Sequence, residues 1–373
     1  MTVLALAIAI LSVGLWMLLN RTDTRPVGTY MVLKRTEGVS RIALNDAAEP
    51  LFQQSAVGTT QALIVMRDGE IILERYGDGI GPTIKLPSHA IAKAVTASLV
   101  GLMVSDGRLS LDMPVPVRAW NQPGDPRGTI TLRHLLQMTS GLDHQEITTP
   151  AYNSDRVRML FTDGVQDMAA FAEAKPIANP PGSSFTYSTG DTLIIADLMT
   201  RMLTDSQRPN TRRDAMMEFV KGRLMDPVGL PSLTPEFDAH GTMIGGAMMH
   251  MTARDYARFG DFLRRKGRIN GHQVLSARWV EFMTTASERN PAFGGHIWLN
   301  REGAGISPSL PGPLFPGKAS KRIFAAVGHQ GQYLLVSPAQ RLVILRIGLS
   351  EDGEQSDTLR SALIRLIQLF PST

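Results

Sequence analysis

The sequence predicts an α+β fold: one antiparallel sheet formed from both chain ends and flanked by helices, with a mainly helical insertion between them. Strand-like runs are confined to the two ends of the body, whereas helix-like apolar patterns occupy its middle. Strands and helices segregated along a chain are typical of α+β folds, because α/β folds alternate them. The 373 residues suffice for one large domain with an insertion, which we place roughly over residues 104–240.

The first predicted elements are a β-hairpin and a buried helix. Two apolar runs within residues 62–75 are separated by Asp68-Gly69. An Asp-Gly step between two such runs is a strong hairpin signal, because both residues tolerate positive φ. The segment Ile91–Met103 is rich in Ala, Leu and Val and is followed by Asp106-Gly107. This composition predicts a buried helix that ends at a glycine.

The middle and the last third of the chain have different patterns. Helices are predicted in the middle at 132–138, 166–174, 191–203, 213–224 and 252–266. Strands are predicted in the last third at 294–300, 322–327, 332–336 and 342–347, followed by a helix at 361–369. The late strands are expected to join the early hairpin in one sheet.

The composition excludes several classes of protein. Hydrophobic residues make up 43% of the chain and charged residues 19%, which is too apolar for a disordered chain. The absence of cysteine rules out disulfides, a thiol nucleophile and thiolate metal sites. The net charge of +4 is dispersed, and no Lys/Arg block with interleaved aromatic residues occurs, so no nucleic-acid partner is predicted.

The amino terminus carries an uncharged apolar run over residues 3–19. As a helix it spans roughly 25 Å, close to the thickness of a bilayer core, and Trp16 near its end suits an interface. The sequence therefore predicts a membrane anchor or signal segment at 1–20, a linker at 21–49 and one large folded domain at 50–373. The expected localisation is membrane-anchored at a bacterial inner membrane with a periplasmic domain, the side being open. A cleaved signal peptide, giving a secreted or periplasmic protein, is the alternative.

The chemistry-bearing residues do not form the common hydrolase or nucleotide motifs. No GxSxG, HExxH, Walker or GxGxxG motif occurs, and the eight histidines are not at metal-ligand spacing. Nucleophilic catalysis without a histidine base needs a hydroxyl, a lysine and often a tyrosine. Lys93 is unusual in the apolar helix, because an ammonium is buried only if it is paired or its pKa falls.

Two further segments complete a recognisable order. Tyr187-Ser188-Thr189-Gly190-Asp191 follows a Pro-Gly turn, and Gly328-His329-Gln330-Gly331-Gln332 lies between two predicted strands. With the Lys93 helix, these segments resemble the serine β-lactamase-like hydrolases of the class C type. That group includes penicillin-binding DD-peptidases, esterases and 6-aminohexanoate-dimer hydrolases. The similarity extends from about residue 62 to the end, and segments 99–114, 132–142 and 245–263 support it.

The nucleophile position is occupied by alanine. The family's first motif is Ser-x-x-Lys, and the aligned residues here are Ala90-Ile91-Ala92-Lys93. Ser88 is a poor substitute, because residues five apart on a helix lie about 140° apart around its axis. Three explanations stay open at this point: an engineered Ser→Ala substitution, a natural pseudoenzyme, or a wrong alignment.

The resemblance implies a β-lactamase/transpeptidase-like fold and a role for each aligned residue. A serine at position 90 would attack a carbonyl carbon, and Lys93 would take or relay its proton, with Tyr187 as partner base and proton donor to the leaving group. The N–H groups of residue 90 and Gln332 would form the oxyanion hole. The other predicted substrate-binding residues are His329, Gly331 and Ser188. No cofactor and no metal are implied.

Two departures from the family pattern indicate the substrate class. Thr189 stands where many members have an asparagine, and His329 stands where lactamases commonly have a lysine. Both changes favour the esterase and amide-oligomer branch over a true β-lactamase. Each residue also has a structural alternative: Lys93 can extend to solvent from a helix end, and Tyr187 and His329 can make purely structural hydrogen bonds.

Two functions from different classes follow. The first is a hydrolase of a small ester, amide or peptide-like substrate, inactive in this chain because Ala90 replaces the serine. The second is a natural membrane-tethered pseudoenzyme that binds a cell-wall or small amide ligand without turnover. The oligomeric state is not predicted.

Overall fold

The computed structural model describes residues 28–307 and 309–371, and its centre is a seven-stranded antiparallel sheet. The strands are β1 (Thr29–Leu33), β2 (Thr59–Arg67), β3 (Glu70–Tyr76), β4 (Lys85–Pro87), β5 (Thr234–Pro235), β6 (Met249–Thr252), β7 (Arg268–Ile269), β8 (His272–Gln273), β9 (Trp298–Leu299), β10 (Phe324–Gly328), β11 (Gln332–Ser337) and β12 (Leu342–Leu349). The large sheet has the order β1-β3-β2-β12-β11-β10-β9, so the early hairpin and the last strand are neighbours. A small sheet, β4-β6-β5, lies apart from it.

Helices cover both faces of the large sheet. They are α1 (Arg41–Ala48), α2 (Gln54–Val57), α3 (Ala92–Ser105), α4 (Leu132–Leu136), α5 (Asp155–Phe161), α6 (Met168–Glu173), α7 (Thr189–Leu203), α8 (Pro209–Val220), α9 (Asp226–Val228), α10 (Ala253–Arg264), α11 (Ala277–Met283) and α12 (Glu354–Gln368). Along β2, Ile64 and Met66 join the core with α3, α7 and α10, whereas Leu63 and Val65 join the core with α1 and α12. This alternation follows from the two-residue period of a strand.

The predicted fold class is confirmed. The hairpin turns at Asp68 and Gly69, which have φ of 54° and 87°, and β2 pairs with β12 along its length. The predicted strand at 294–300 is reduced to Trp298–Leu299. His296 has φ of 59°, and the N–H groups of Gly294, Gly295 and His296 donate to the carbonyls of Ile297, Met283 and Leu136, so they are not available to a ladder with β10.

Part of the segment predicted as a linker is folded. Within residues 21–49, β1 pairs with β3 and α1 packs beneath α12. Ser40 begins α1, because its side-chain oxygen accepts a hydrogen bond from the N–H of Ala43. Leu44 and Ala48 are fully buried against the second core. The polar composition of the segment concealed these apolar positions at a spacing of four.

The predicted membrane-anchored localisation is corrected. Within residues 28–307 and 309–371, no helix combines the length and apolar character needed to cross a bilayer. The longest described helices, α7 and α12, have 15 residues each, and about 20 apolar residues are needed. The apolar run at residues 3–19, on which that prediction rested, lies outside the described residues.

Candidate active site

Ala90 lies in a tight turn at the start of α3. The turn is a 3₁₀ segment, His89–Ile91, and α3 continues directly from it. His89 has φ of 45°, a left-handed conformation that is uncommon for a residue with a side chain and is typical of functional sites. Ala90 is half-buried, whereas Ile91 and Ala92 are fully buried. The turn therefore leaves position 90 partly exposed, while the two residues after it are packed in the core.

Ser88 holds this turn in place. It is fully buried, its hydroxyl donates to the carbonyl of His89 at 2.9 Å, and its Oγ accepts from the N–H of Met249 at 3.1 Å. Its own N–H donates to the Met249 carbonyl at 2.8 Å. These bonds join the turn to β6. Ser88 consequently has no access to a substrate, which agrees with its dismissal as a nucleophile.

Lys93 lies one helical turn after Ala90 and is almost fully buried, with 2% of its surface exposed. Its Nζ donates to the carbonyl of Gly246 at 2.7 Å and to Oγ1 of Thr189 at 3.0 Å. Burial lowers the pKa of Lys93 to about 8, although the negative charge of Glu146 works in the opposite direction. An amine with that pKa is neutral in a substantial fraction near neutral pH and can accept a proton.

Tyr187 is held by its ring, and its hydroxyl stays free. The ring stacks on Trp298 at 5.5 Å and meets Phe293 edge to face at 6.0 Å. The Lys93 Nζ lies 5.1 Å from the ring centroid. No described residue forms a hydrogen bond with the hydroxyl. Its oxygen is also not fully enclosed, because it is not one of the described buried polar atoms that lack a partner. Burial, together with the charge of Glu146, raises the pKa of Tyr187 well above its usual range, so the phenol is neutral.

A buried carboxylate, Glu146, lies behind Lys93. It is 6% exposed and accepts bonds from the Thr189 hydroxyl at 2.7 Å, the Thr189 N–H at 2.8 Å and Nε2 of His144 at 2.9 Å. Burial raises the pKa of Glu146, but His144, Lys93 and Thr189 outweigh it and hold the value at about 2. Sequence reasoning missed this residue. The one available signal was the requirement that a buried lysine be paired.

The tyrosine segment leads into α7 through a cap. The Ser188 hydroxyl oxygen accepts from the N–H of Asp191 at 3.0 Å and so begins the helix two residues earlier than predicted. Asp191 accepts from the Ser140 hydroxyl at 2.9 Å, and burial raises its pKa to about 7. The structure therefore gives the Ser188 side chain a capping contact, and its predicted contact with substrate stays a prediction.

The third motif reaches the same turn from β10. A Cβ added at Gly328 would lie 2.9 Å from the Ser88 carbonyl oxygen, so the strand and the turn are in close contact. The rings of His89 and His329 are 6.1 Å apart, edge to face. Gly331 has φ of 80° and completes the tight loop between β10 and β11. The structure thus brings His329 to the turn that carries Ala90.

Gln332 is the first residue of β11. Its backbone is paired with Gly328 in the β10–β11 ladder, and the residue is 1% exposed. Its side-chain amide donates to the His329 carbonyl at 2.9 Å, and its amide oxygen accepts from the N–H of Gly348 on β12 at 2.9 Å. These contacts direct the side chain into the sheet. Its N–H as an oxyanion donor stays a prediction.

No metal centre is formed by the described part of the chain, since no three His, Asp or Glu side chains in it are grouped closely enough to hold an ion. The candidate site consists instead of a half-buried residue at a helix start, a buried lysine on the next turn, a tyrosine with a free hydroxyl and the loop that follows β10. A buried lysine and a tyrosine are the residue types that nucleophilic catalysis by a hydroxyl needs when no histidine base is present.

The comparisons with known proteins agree with that class. The β-lactamase family profile matches residues 47–369, so the chain belongs to the β-lactamase family of serine hydrolases. It is 24% identical over 273 residues to the 6-aminohexanoate-dimer hydrolase of Paenarthrobacter ureafaciens, covering 68% of each chain.

Solved structures share the fold. A family VIII carboxylesterase has a TM-score of 0.63 at 14% identity, covering 91% of this chain and 100% of its own. A penicillin-binding protein homologue from Caulobacter crescentus has a TM-score of 0.60 at 16% identity, with coverages of 90% and 99%. These similarities extend over almost the whole described chain and establish the architecture.

Proposed function

We propose that this site is built to hydrolyse an ester or an unstrained amide through an acyl-enzyme on position 90, and that Ala90 makes the present chain a binder without turnover. The observation that carries the proposal is Lys93. Lys93 is 98% buried one helical turn from Ala90, and keeping an ammonium there is costly. The free energy cost of burying Lys93 is explained if its amine serves as a base one helical turn from a nucleophile.

With serine at position 90, acyl transfer would proceed in two stages. The hydroxyl proton passes to neutral Lys93 as Oγ forms a bond to the carbonyl carbon. Tyr187, a neutral phenol, donates its proton to the leaving oxygen or nitrogen as that bond breaks, and Lys93 restores it. Water then repeats the addition and releases the acid, leaving the serine free.

Two backbone donors are available for the oxyanion. Neither the N–H of Ala90 nor that of His329 has an acceptor among the described residues. Gln332 belongs to the β10–β11 ladder, and we propose the N–H of His329 as an alternative to its N–H for the second donor. Each such donor contributes about 3 kcal/mol to a transition state with charge on oxygen.

The substrate class rests on the motif departures and on the relatives. Thr189 and His329 replace an amide and a cation that would suit a lactam carboxylate. The names of the similar proteins point to a linear amide in one case and a carboxylic ester in the other. A small linear ester or amide is therefore the class to screen first.

The test is the Ala90→Ser variant. We expect covalent labelling by a fluorophosphonate probe and a burst of product from an activated ester, with the unchanged chain giving neither. Ala92→Ser, whose serine would be fully enclosed in the same helix, is the matched control and should stay unlabelled. A folded Ala90→Ser protein that does not react with the probe would refute the proposal.

A second function, ligand binding without chemistry, is favoured by Ala90 itself. It predicts that the unchanged chain and the Ala90→Ser variant bind the same amide or peptide ligand equally well, and that neither turns it over. Calorimetric titration of both proteins, followed by product analysis, separates the two functions.

A further inference from the structure

The hydrogen bonds around Thr189 run in one direction. A hydroxyl has a single proton, and the Thr189 hydroxyl donates it to Oε1 of Glu146 at 2.7 Å. Its oxygen can therefore only accept from Lys93, whose Nζ is 3.0 Å away. The chain of donors is fixed as Lys93 to Thr189 to Glu146, and it ends on a carboxylate.

Glu146 is anchored so that it cannot turn away. Its second oxygen accepts from the Thr189 N–H and from Nε2 of His144. The preceding residue, Gln145, exchanges two bonds with Asp155 at the start of α5: its N–H donates to Oδ2 and its carbonyl accepts from the Asp155 N–H, both at 2.8 Å. A buried carboxylate that accepts three bonds stays ionised.

We propose that Glu146 is a positioning residue for the reaction: through the Thr189 hydroxyl it fixes the rotamer of Lys93, and it supplies the buried negative charge that faces the Lys93 ammonium. This role deepens the proposed function and takes its catalytic meaning from it. Thr189 stands where the family's second motif often has an asparagine, so a neutral amide is replaced by a hydroxyl that is bonded to the Glu146 carboxylate.

Other charged and titratable groups also face Lys93. Asp191 on α7 adds negative charge and Arg156 on α5 adds positive charge. The Tyr187 ring lies beside the amine. His296, from the loop before β9, is buried, bonded to Thr192 and neutral, since burial and the charge of Lys93 lower its pKa to about 3. Of the two carboxylates, Glu146 is the one joined to Lys93 through a shared hydroxyl, and burial holds the pKa of Asp191 near 7.

The decisive measurement does not need turnover. In the Ala90 chain labelled with ¹³C at lysine Cε, the Lys93 resonance, identified by its loss in Lys93→Met, is titrated by NMR. Glu146→Gln should lower the midpoint by about one pH unit or more, because a neutral amide no longer favours the ammonium. Glu218→Gln, at an exposed glutamate on α8, is the matched control and should leave the midpoint unchanged.

Thr189 provides a second, independent pair of variants. Thr189→Val removes the shared hydroxyl and should also lower the midpoint, whereas Thr189→Ser keeps the hydroxyl and should restore it. This pair carries the test if Glu146→Gln does not fold, which circular dichroism would reveal. The inference is overturned if Glu146→Gln or, where that variant is unfolded, Thr189→Val titrates like the Glu218→Gln control.

Activity gives a separate readout. In the Ala90→Ser background, Glu146→Gln should lower kcat at least tenfold while KM changes little, and should move the pH profile to lower pH. If Glu146→Gln leaves the titration midpoint of Lys93 unchanged, the role of Glu146 is refuted. If the midpoint shifts but the Ala90→Ser variant hydrolyses nothing, only the proposed function is refuted.

Discussion

At the scale of single residues, the proton affinity of Lys93 is the balance of opposing contacts. Burial and Arg156 disfavour the ammonium, while Glu146 and Asp191 favour it, and the result is a pKa of about 8. A free lysine would hold its proton at neutral pH and be useless as a base, and a lysine with no carboxylate nearby would lose its fixed position. The Lys93 amine is therefore fixed in position and can also accept a proton near neutral pH.

This balance predicts the pH dependence of the Ala90→Ser variant. Because the pKa of Lys93 is lowered to about 8, the fraction of neutral amine grows about tenfold per pH unit below that value and then levels off. Hydrolysis of an activated ester should rise accordingly between pH 6 and 8 and become flat above it. The same profile measured in Ala90→Ser with Lys93→Met supplies the baseline. A rate independent of pH over this range would contradict Lys93 as the base.

The residues of the site differ in how readily they can be predicted from the sequence. Lys93 was predictable because a lysine in an apolar helix violates the pattern around it, and Tyr187 because its neighbours form a motif. Glu146 is 53 positions from Lys93 in the chain and belongs to no motif, so which carboxylate pairs with the lysine is decided only by packing. Gln332 was assigned from motif position, which does not reveal that its side-chain amide bonds to the His329 carbonyl and to the N–H of Gly348.

At the scale of elements, the position of the site depends on the contact between β10 and the His89–Ile91 turn. Gly328 allows this contact because it has no side chain: a Cβ would meet the Ser88 carbonyl oxygen at 2.9 Å and Gln332 Cβ at 3.0 Å. Neither is the flexible end of a long side chain, so the strand and the turn would have to separate. The sequence marked this glycine as part of a motif, but the turn that it meets is more than 200 residues away.

Gly328→Ala should therefore impair the site more than the fold. In the Ala90→Ser background we expect at least a tenfold loss of kcat, with a decrease of about 1–3 kcal/mol in unfolding free energy from the strained contact. Gly222→Ala is the control, because a Cβ there meets nothing within 4 Å. Steady-state kinetics and denaturant unfolding of both variants check this, and full activity in Gly328→Ala would show that the strand and the turn move independently.

At the scale of the whole molecule, the large sheet joins strands from the early and late parts of the described chain, and the segregation of strand-like and helix-like runs in the sequence was sufficient to predict this. Boundaries were less predictable, since caps such as Ser188 and left-handed residues such as His296 decide where elements begin and end. The sequence also did not reveal that a charged side chain ties the ends together. Arg346 on β12 is fully buried and forms no ion pair within the described chain.

Arg346 is held by oxygen atoms from two distant parts of the chain. Its guanidinium donates to Oγ1 of Thr60 at 3.1 Å, to the Thr59 carbonyl at 3.1 Å and to the Gly331 carbonyl at 2.9 Å. The first two belong to β2 and the third to the loop beside the active site. Burial lowers the pKa of Arg346 to about 10, so it stays charged at neutral pH.

Replacement of Arg346 should consequently affect stability and the site together. Arg346→Met leaves several buried carbonyls without donors, at about 1–3 kcal/mol each, so unfolding free energy should fall by about 3 kcal/mol or more. Arg278→Met, at an exposed position on α11, should change it by less than about 0.5 kcal/mol. Denaturant unfolding measures both, and hydrogen exchange of the 329–332 loop should accelerate only in Arg346→Met. Equal stability of the two variants would mean that water replaces the guanidinium, and that the two ends of the chain are held by the strand ladder alone.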